Sequence, residues 1–378
     1  MTSERIPADA LWRLARDILM ALDVEPEHAG ITAQRLLEAD LRGRSGHGII
    51  RLPSYCTRIR AGGYNLRPDI AVRHDTPVSA LVDGDNGLGQ VVVTHAVEVA
   101  IAKATMSGIG WVGTVHSNHA GAAGVYTALA LEAGFGALYF AVANGNGMPP
   151  WGGRERLLGT NPIAVAFPAG RESAFELDIA TTVVSHGTID VKARSGEPLP
   201  EGWVVDGDGE PITDPAGADE GFLVPIGGYK GSGLTFMIGT LAGIMTGAAF
   251  GRDVVGFRDD HVTPTNTGQA IVVFRPDLFM ERSEYDRRMD SVLHDFRTSE
   301  SMTDEPVRLP GERARRTIAD NLEHGIAMPH ELIGKLRALA DEFGVEVDLP
   351  RERASDSEPA GGDPRERASD SEPAGGSL

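Results

Sequence analysis

Gly110-Trp111-Val112-Gly113-Thr114-Val115-His116-Ser117-Asn118-His119-Ala120-Gly121-Ala122-Ala123-Gly124 runs from a strand pattern, through a loop of small residues, into a helix predicted over 125–133. A dinucleotide-binding βαβ unit would place G-x-G-x-x-G at such a junction, so that the backbone could approach a pyrophosphate. This junction instead carries two histidines and Gly121-Ala122-Ala123-Gly124, and no strand–GxGxxG–helix unit occurs elsewhere in the chain. A Rossmann dinucleotide site is therefore not indicated.

Strand patterns flank this stretch at 78–82, 138–142, 163–167, 175–179 and 268–274. Helical spacing predicts two helices within 7–40, broken at Asp23-Val24-Glu25-Pro26, and further helices over 51–60, 91–107, 234–245, 281–297 and 330–343. Another helix follows Leu309-Pro310-Gly311-Glu312-Arg313. Asp83-Gly84-Asp85-Asn86-Gly87-Leu88-Gly89 reads as a turn, because its spacing does not fit an EF-hand loop. Residues 198–225 are turn-rich and polar, as in a lid or an excursion. From 350 to 362 the chain is charged and poor in apolar residues, and it repeats fourteen residues later. That composition predicts disorder.

The chain has 378 residues, enough for two domains, and a formal net charge of −19. Such an acidic balance disfavours nucleic acid or an anionic membrane as the main partner. No run of 18 uninterrupted apolar residues occurs, and the first residues lack the order of a signal peptide. The expected location is cytoplasmic. The single cysteine, Cys56, excludes an internal disulfide framework and reads as a small buried apolar residue.

Chemistry concentrates in a second stretch, Leu41-Arg42-Gly43-Arg44-Ser45-Gly46-His47-Gly48-Ile49-Ile50-Arg51-Leu52. Glycines flank His47, and a helical pattern begins near Ile49 and carries Arg51 in its first turn. An imidazole exchanges protons near neutral pH, and a guanidinium holds a carboxylate with two parallel hydrogen bonds. A solvated surface turn is the alternative reading. His47, His116 and His119 lack an accompanying carboxylate, so no metal site is expected. Gly227-Gly228-Tyr229-Lys230-Gly231-Ser232-Gly233 is a glycine-rich helix start that favours anions, although its spacing is not that of a P-loop. No G-x-S-x-G elbow is present. Two loop histidines, an arginine, Asp178 at a strand end and a lysine in a glycine loop suit an enzyme acting on a small anion.

Six segments in order, 41–52, 115–124, 149–162, 177–182, 227–233 and 309–313, resemble the type-2 malate/L-lactate dehydrogenase family. That family includes ureidoglycolate and sulfolactate dehydrogenases, 2,3-diketogulonate reductase and Δ1-piperideine-2-carboxylate reductase. The resemblance covers about 7–347. It implies NAD- or NADP-dependent hydride transfer to or from a 2-oxo or 2-hydroxy acid, or a cyclic imino acid. It also implies a non-Rossmann α/β fold, with a largely antiparallel central sheet, flanking helices and a helical N- and C-terminal domain, in a homodimer. By the same resemblance, 1–75 and 301–348 belong to the helical domain, 76–300 form the cofactor-binding α/β domain, and 349–378 are a disordered tail. His47 and His119 each match a proposed proton donor, and Asp178 a residue taking part in proton transfer. Arg51 matches the carboxylate-binding arginine, and Thr160 lies in the substrate-lining motif. Asp178, Ile179, Ala180, Thr181, Tyr229, Lys230, Gly311, Glu312 and Arg313 match cofactor-contact positions. A non-catalytic NAD(P)- or small-anion-binding protein on the same scaffold is the alternative. Two departures stand out: Gly46 replaces the usual serine before the first histidine, and Ala120 an aromatic after the second.

Overall fold

A computed structural model describes residues 3–346, 348 and 349. The repeated segment from 350 onward, expected to be disordered, lies outside the described residues.

Seven strands make the central sheet: β1 (Ala71–Arg73), β2 (Ser79–Asp83), β3 (Ile109–Ser117), β4 (Gly136–Ala141), β5 (Ile163–Phe167), β6 (Phe175–Ile179) and β7 (Thr267–Phe274). Their spatial order is β1-β2-β3-β7-β4-β5-β6. Only β2 and β3 pair in parallel; the other neighbours are antiparallel. The expected largely antiparallel sheet is thus observed. Side chains alternate between its faces. Ala137, Tyr139, Ile271 and Val273 pack with Gly89–Ser107 and Gly124–Glu132. Phe140, Ala270 and Val272 pack instead with Ile238 and Ala242 of the helix Tyr229–Ala242.

The two ends of the fold share one core. Leu11, Ile18, Leu36, Leu52, Tyr55, Ile333 and Leu336 lie in a single buried cluster, drawn from Ala8–Ala21, Pro26–Leu41, Leu52–Arg60 and His330–Phe343. Ser3–Ile6 pairs antiparallel with Ile326–Pro329 and ties the two ends together. Both strands are four residues long, too short for a period-2 pattern to mark them in the sequence.

Two local expectations are corrected. The segment after His47 does not begin an α-helix. Ser45–His47 and Ile49–Arg51 form successive 3-10 turns, with Gly48 extended between them, and the helix starts at Leu52. Pro53 suits that start, since a first-turn residue needs no N–H partner. Residues 198–225 are also more than a lid. Leu199, Val204 and Leu223 pack with Met148, Leu158, Val184 and Ile189 in a small core of their own, closed by the hairpin pairing Val204–Val205 with Phe222–Leu223. The helix His186–Ser195 precedes it, with Ser185 accepting the N–H of Thr188. Among the described residues, no helix is long and apolar enough to cross a membrane.

Candidate active site

His47 sits on a turn fixed from beneath by a buried carboxylate. Asp40, near the end of Pro26–Leu41, accepts the Ile49 N–H at 2.7 Å. Gly48 lies directly on that carboxylate: a Cβ there would come within 2.1 Å of Asp40 Oδ1. Glycine at 48 is therefore a packing requirement. Burial, opposed by the Ile49 hydrogen bond, pushes the Asp40 pKa up to about 7. Arg51 folds back, and its Nε donates to the Gly46 carbonyl at 2.7 Å. His47 Nδ1 is buried without a hydrogen-bond partner. Burial first, then the Arg51 and Arg44 charges, lower the His47 pKa to about 4.

The second imidazole is clamped. His119 stacks on His47 with ring centroids 5.8 Å apart and planes 17° apart, and Phe257 packs 5.3 Å from it. Its Nδ1 lies 2.6 Å from the Tyr55 hydroxyl, whose oxygen accepts from Gln90 Nε2 at 2.7 Å. The preceding residue, Asn118, donates to the carbonyls of Asn86 and Gly87 and accepts from Thr265. The Asp83–Gly89 turn thus anchors the histidine loop. Burial, then the neighbouring His47 and Arg51, hold the His119 pKa well below the ordinary value. Both imidazoles are neutral at pH 7, and the Arg51 charge bears on each.

His116 points elsewhere, with its Nδ1 2.9 Å from Asp83 Oδ1 on the surface. Among the described residues, no three His, Cys, Asp or Glu side chains are grouped to hold a metal. Cys56 is buried, and burial raises its thiol pKa to about 12, which suits a packing role.

The remaining motifs converge on β6 and the residues after it. Arg44 donates to the Asp178 carbonyl at 2.7 Å, linking the His47 turn to this strand. The Asp178 carboxylate accepts the Gly124 N–H at 3.1 Å, at the start of the helix after His119. Asp178 thus engages Arg44 and Gly124, not an imidazole, and burial raises its pKa. Thr160 accepts the Thr181 N–H at 3.0 Å, and Thr181 receives the Thr235 hydroxyl at 2.7 Å. The Thr181 carbonyl takes the Ile226 N–H at 3.0 Å, just before Gly227 and Gly228. Both glycines have positive φ and open the helix carrying the exposed Tyr229 and Lys230. Ile179 is exposed and Ala180 partly buried at the same strand end. Gly311, at φ 95°, starts Glu312–His324, and a Cβ there would lie 3.0 Å from Glu176 Cβ. Glu312 pairs with Arg297 at 2.8 Å and accepts the Leu309 N–H, so its carboxylate is committed within the chain; Arg313 is exposed.

The malate/L-lactate dehydrogenase family model matches residues 6–337. The chain belongs to the malate/L-lactate dehydrogenase family. The solved sulfolactate dehydrogenase from Methanocaldococcus jannaschii superposes with a TM-score of 0.84 at 37 % identity, covering 91 % of this chain and 98 % of that one. The delta1-piperideine-2-carboxylate reductase from Pseudomonas syringae gives 0.79 at 29 %, covering 89 % and 100 %. Ureidoglycolate dehydrogenase (NAD(+)) from Escherichia coli is 33 % identical over 294 residues, 77 % of this chain and 83 % of that protein. The family expected from the six motifs is the family found.

The residue reading missed several groups in this family member: Asp40, Arg44, Tyr55, Gln90 and Phe257. Asp40 carried a usable signal, an acidic residue late in an otherwise apolar-faced helix. Tyr55 and Gln90 carried none, because each looks like an ordinary helical position until the fold brings them to His119.

Proposed function

We propose that this dehydrogenase interconverts a small 2-oxo acid, or a cyclic imino acid, and its reduced counterpart, using NAD or NADP. The observation that carries the reading is one guanidinium, Arg51, acting on two stacked neutral imidazoles. Arg51 holds the substrate carboxylate, and Thr160 lines the same substrate. The bound nicotinamide supplies or takes the hydride. As the carbonyl oxygen becomes alkoxide-like, His47 or His119 stabilises it by hydrogen bonding and passes it a proton that the ring takes up from solvent; in the oxidation direction the neutral ring accepts the hydroxyl proton and releases it to solvent.

The residues suit a dinucleotide without a Rossmann motif. Two glycine-opened helix starts, at Gly228 and Gly311, offer backbone N–H groups to phosphate, and exposed Lys230 and Arg313 add charge. Asp178, Ile179, Ala180 and Thr181 form the strand end between them. In this reading Asp178 couples the cofactor strand to the His47 turn through Arg44. The shared end-to-end core supports grouping 1–75 with 301–348 as one helical domain against 76–300.

We infer a homodimer in the cytoplasm. The helix Tyr229–Ala242 buries Thr235, Ile238 and Ala242 against its own chain. Its other face and the following turn expose Phe236 (57 %), Ile244 (58 %) and Met245 (63 %). A helix apolar on both sides fits a second copy over the outer face. Sedimentation should give twice the chain mass of 40.1 kDa; a stable, active monomer would contradict this.

The deciding experiment is a screen of 2-oxo and 2-hydroxy acids with both cofactors, read at the nicotinamide absorbance. Turnover of at least one carboxylate is expected. Cofactor binding without turnover of any acid would favour the non-catalytic reading.

A further inference from the structure

We propose that Tyr55 and Gln90 are positioning residues that fix the tautomer of His119, keeping its proton on Nε2, the nitrogen left for substrate. The proposal rests on the hydride-transfer reading for its catalytic meaning, but not for its structural content. It follows from counting donors. A phenol has one hydrogen to give and a lone pair to receive. The Tyr55 oxygen receives from Gln90 Nε2 at 2.7 Å, so its own hydrogen goes to the other neighbour, His119 Nδ1, at 2.6 Å. A nitrogen that accepts this bond bears no hydrogen. In a neutral imidazole the proton then sits on Nε2.

The orientation of the Gln90 amide decides the direction of the chain. As placed, the amide leaves Oε1 without a partner. Turned over, it would offer its oxygen to Tyr55 and leave both N–H groups without acceptors in a buried site. Buried orphan N–H groups are rarer and costlier than an under-satisfied carbonyl, so the Nε2-donating orientation is assigned. Burial supports the rest. Tyr55 and Gln90 are fully enclosed, and burial raises the Tyr55 pKa, so the phenol keeps its proton. Phe257 and His47 enclose the ring that Tyr55 holds. His119 thus arrives as a neutral hydrogen-bond donor, ready for the developing charge on a substrate oxygen. His47, with Nδ1 unpartnered, has no comparable restraint.

The test is the histidine 15N spectrum of the full chain without ligand at pH 7, with the His119 signal identified by its loss in His119→Gln. Long-range correlations distinguish the two neutral tautomers and the imidazolium. The proton is expected on Nε2. A proton on Nδ1, or a doubly protonated ring, would overturn the proposal, and neither result depends on turnover. Tyr55→Phe keeps the ring and removes the hydroxyl. It should produce a tautomer mixture and lower kcat by about 10- to 100-fold, with KM for the acid nearly constant because Arg51 is untouched. An unchanged tautomer and unchanged kcat in that variant would also overturn it. Gln90→Leu should likewise give a mixture, and an unchanged spectrum would remove Gln90 from the arrangement. If the acid screen fails while the wild-type spectrum shows Nε2–H, the functional reading falls and the tautomer assignment stands.

Discussion

Two histidines stand 5.8 Å apart on unlike supports. The His119 loop is held through side chains. Tyr55 takes its ring nitrogen, and Asn118 bonds to Asn86, Gly87 and Thr265. The His47 turn is held through backbone, by Asp40 on the Ile49 N–H and by Arg51 on the Gly46 carbonyl, while its ring nitrogen is left bare. One support fixes a ring and its proton; the other fixes a chain path and leaves the ring less constrained. Gly46, the neighbour of His47 in the chain, has no side chain to offer that nitrogen.

Removing each ring breaks the comparison most severely. His47→Ala and His119→Ala, made separately, should show which is the proton donor: its loss lowers kcat by about 100- to 10,000-fold and removes the matching limb of the pH–rate profile. Burial keeps both imidazoles neutral below the usual range, with His47 near 4. A reaction that needs the neutral base should therefore retain activity well below pH 6.5. An acid limb at 6.5 would show that neither ring is perturbed as the fold implies.

Arg51→Lys keeps the charge and loses the fork. It should lower kcat/KM by about 30- to 1000-fold, mostly through KM for the acid, with cofactor affinity nearly intact. Near-wild-type efficiency here and in both histidine variants would place the site elsewhere.

Asp40→Asn probes the support under His47. The amide oxygen can still accept the Ile49 N–H. Asp40 titrates near 7 in the fold, against about 4 unfolded. Native Asp40 holds a proton that the unfolded chain releases in this window. Its stabilising contribution is thus complete below about pH 4 and lost as pH rises through 7. The variant should gain on wild type between pH 5 and 8 by on the order of 1–3 kcal/mol in denaturant unfolding. A difference independent of pH would contradict this.

Gly46→Ser should change least. No atom lies within 4 Å of a Cβ built there, and the φ is not left-handed. Stability should shift by no more than about 0.5 kcal/mol. If the hydroxyl reaches His47 Nδ1, the His47 15N signal moves while that of His119 does not. Movement of both would mean that the two supports are not independent.

The sequence by itself determined the family, most of the strand and helix segments, and the principal chemical groups, because these reside in local periodicity and in ordered motifs. The candidates His47, Arg51, His119, Asp178 and Thr160 were named in that way. Only the tertiary structure decided what supports them. Asp40 reaches across nine residues, Gln90 across 35 to Tyr55, and Tyr55 across 64 to His119. Asp178 meets Arg44, 134 residues away, and Gly124, 54 residues away. The 3-10 turn Ile49–Arg51 took the place of the first residues of the predicted helix, with the Ile49 N–H held by Asp40. Local spacing can name a reactive side chain, but its proton position and pKa depend on burial and on partners that only folding brings within hydrogen-bond distance.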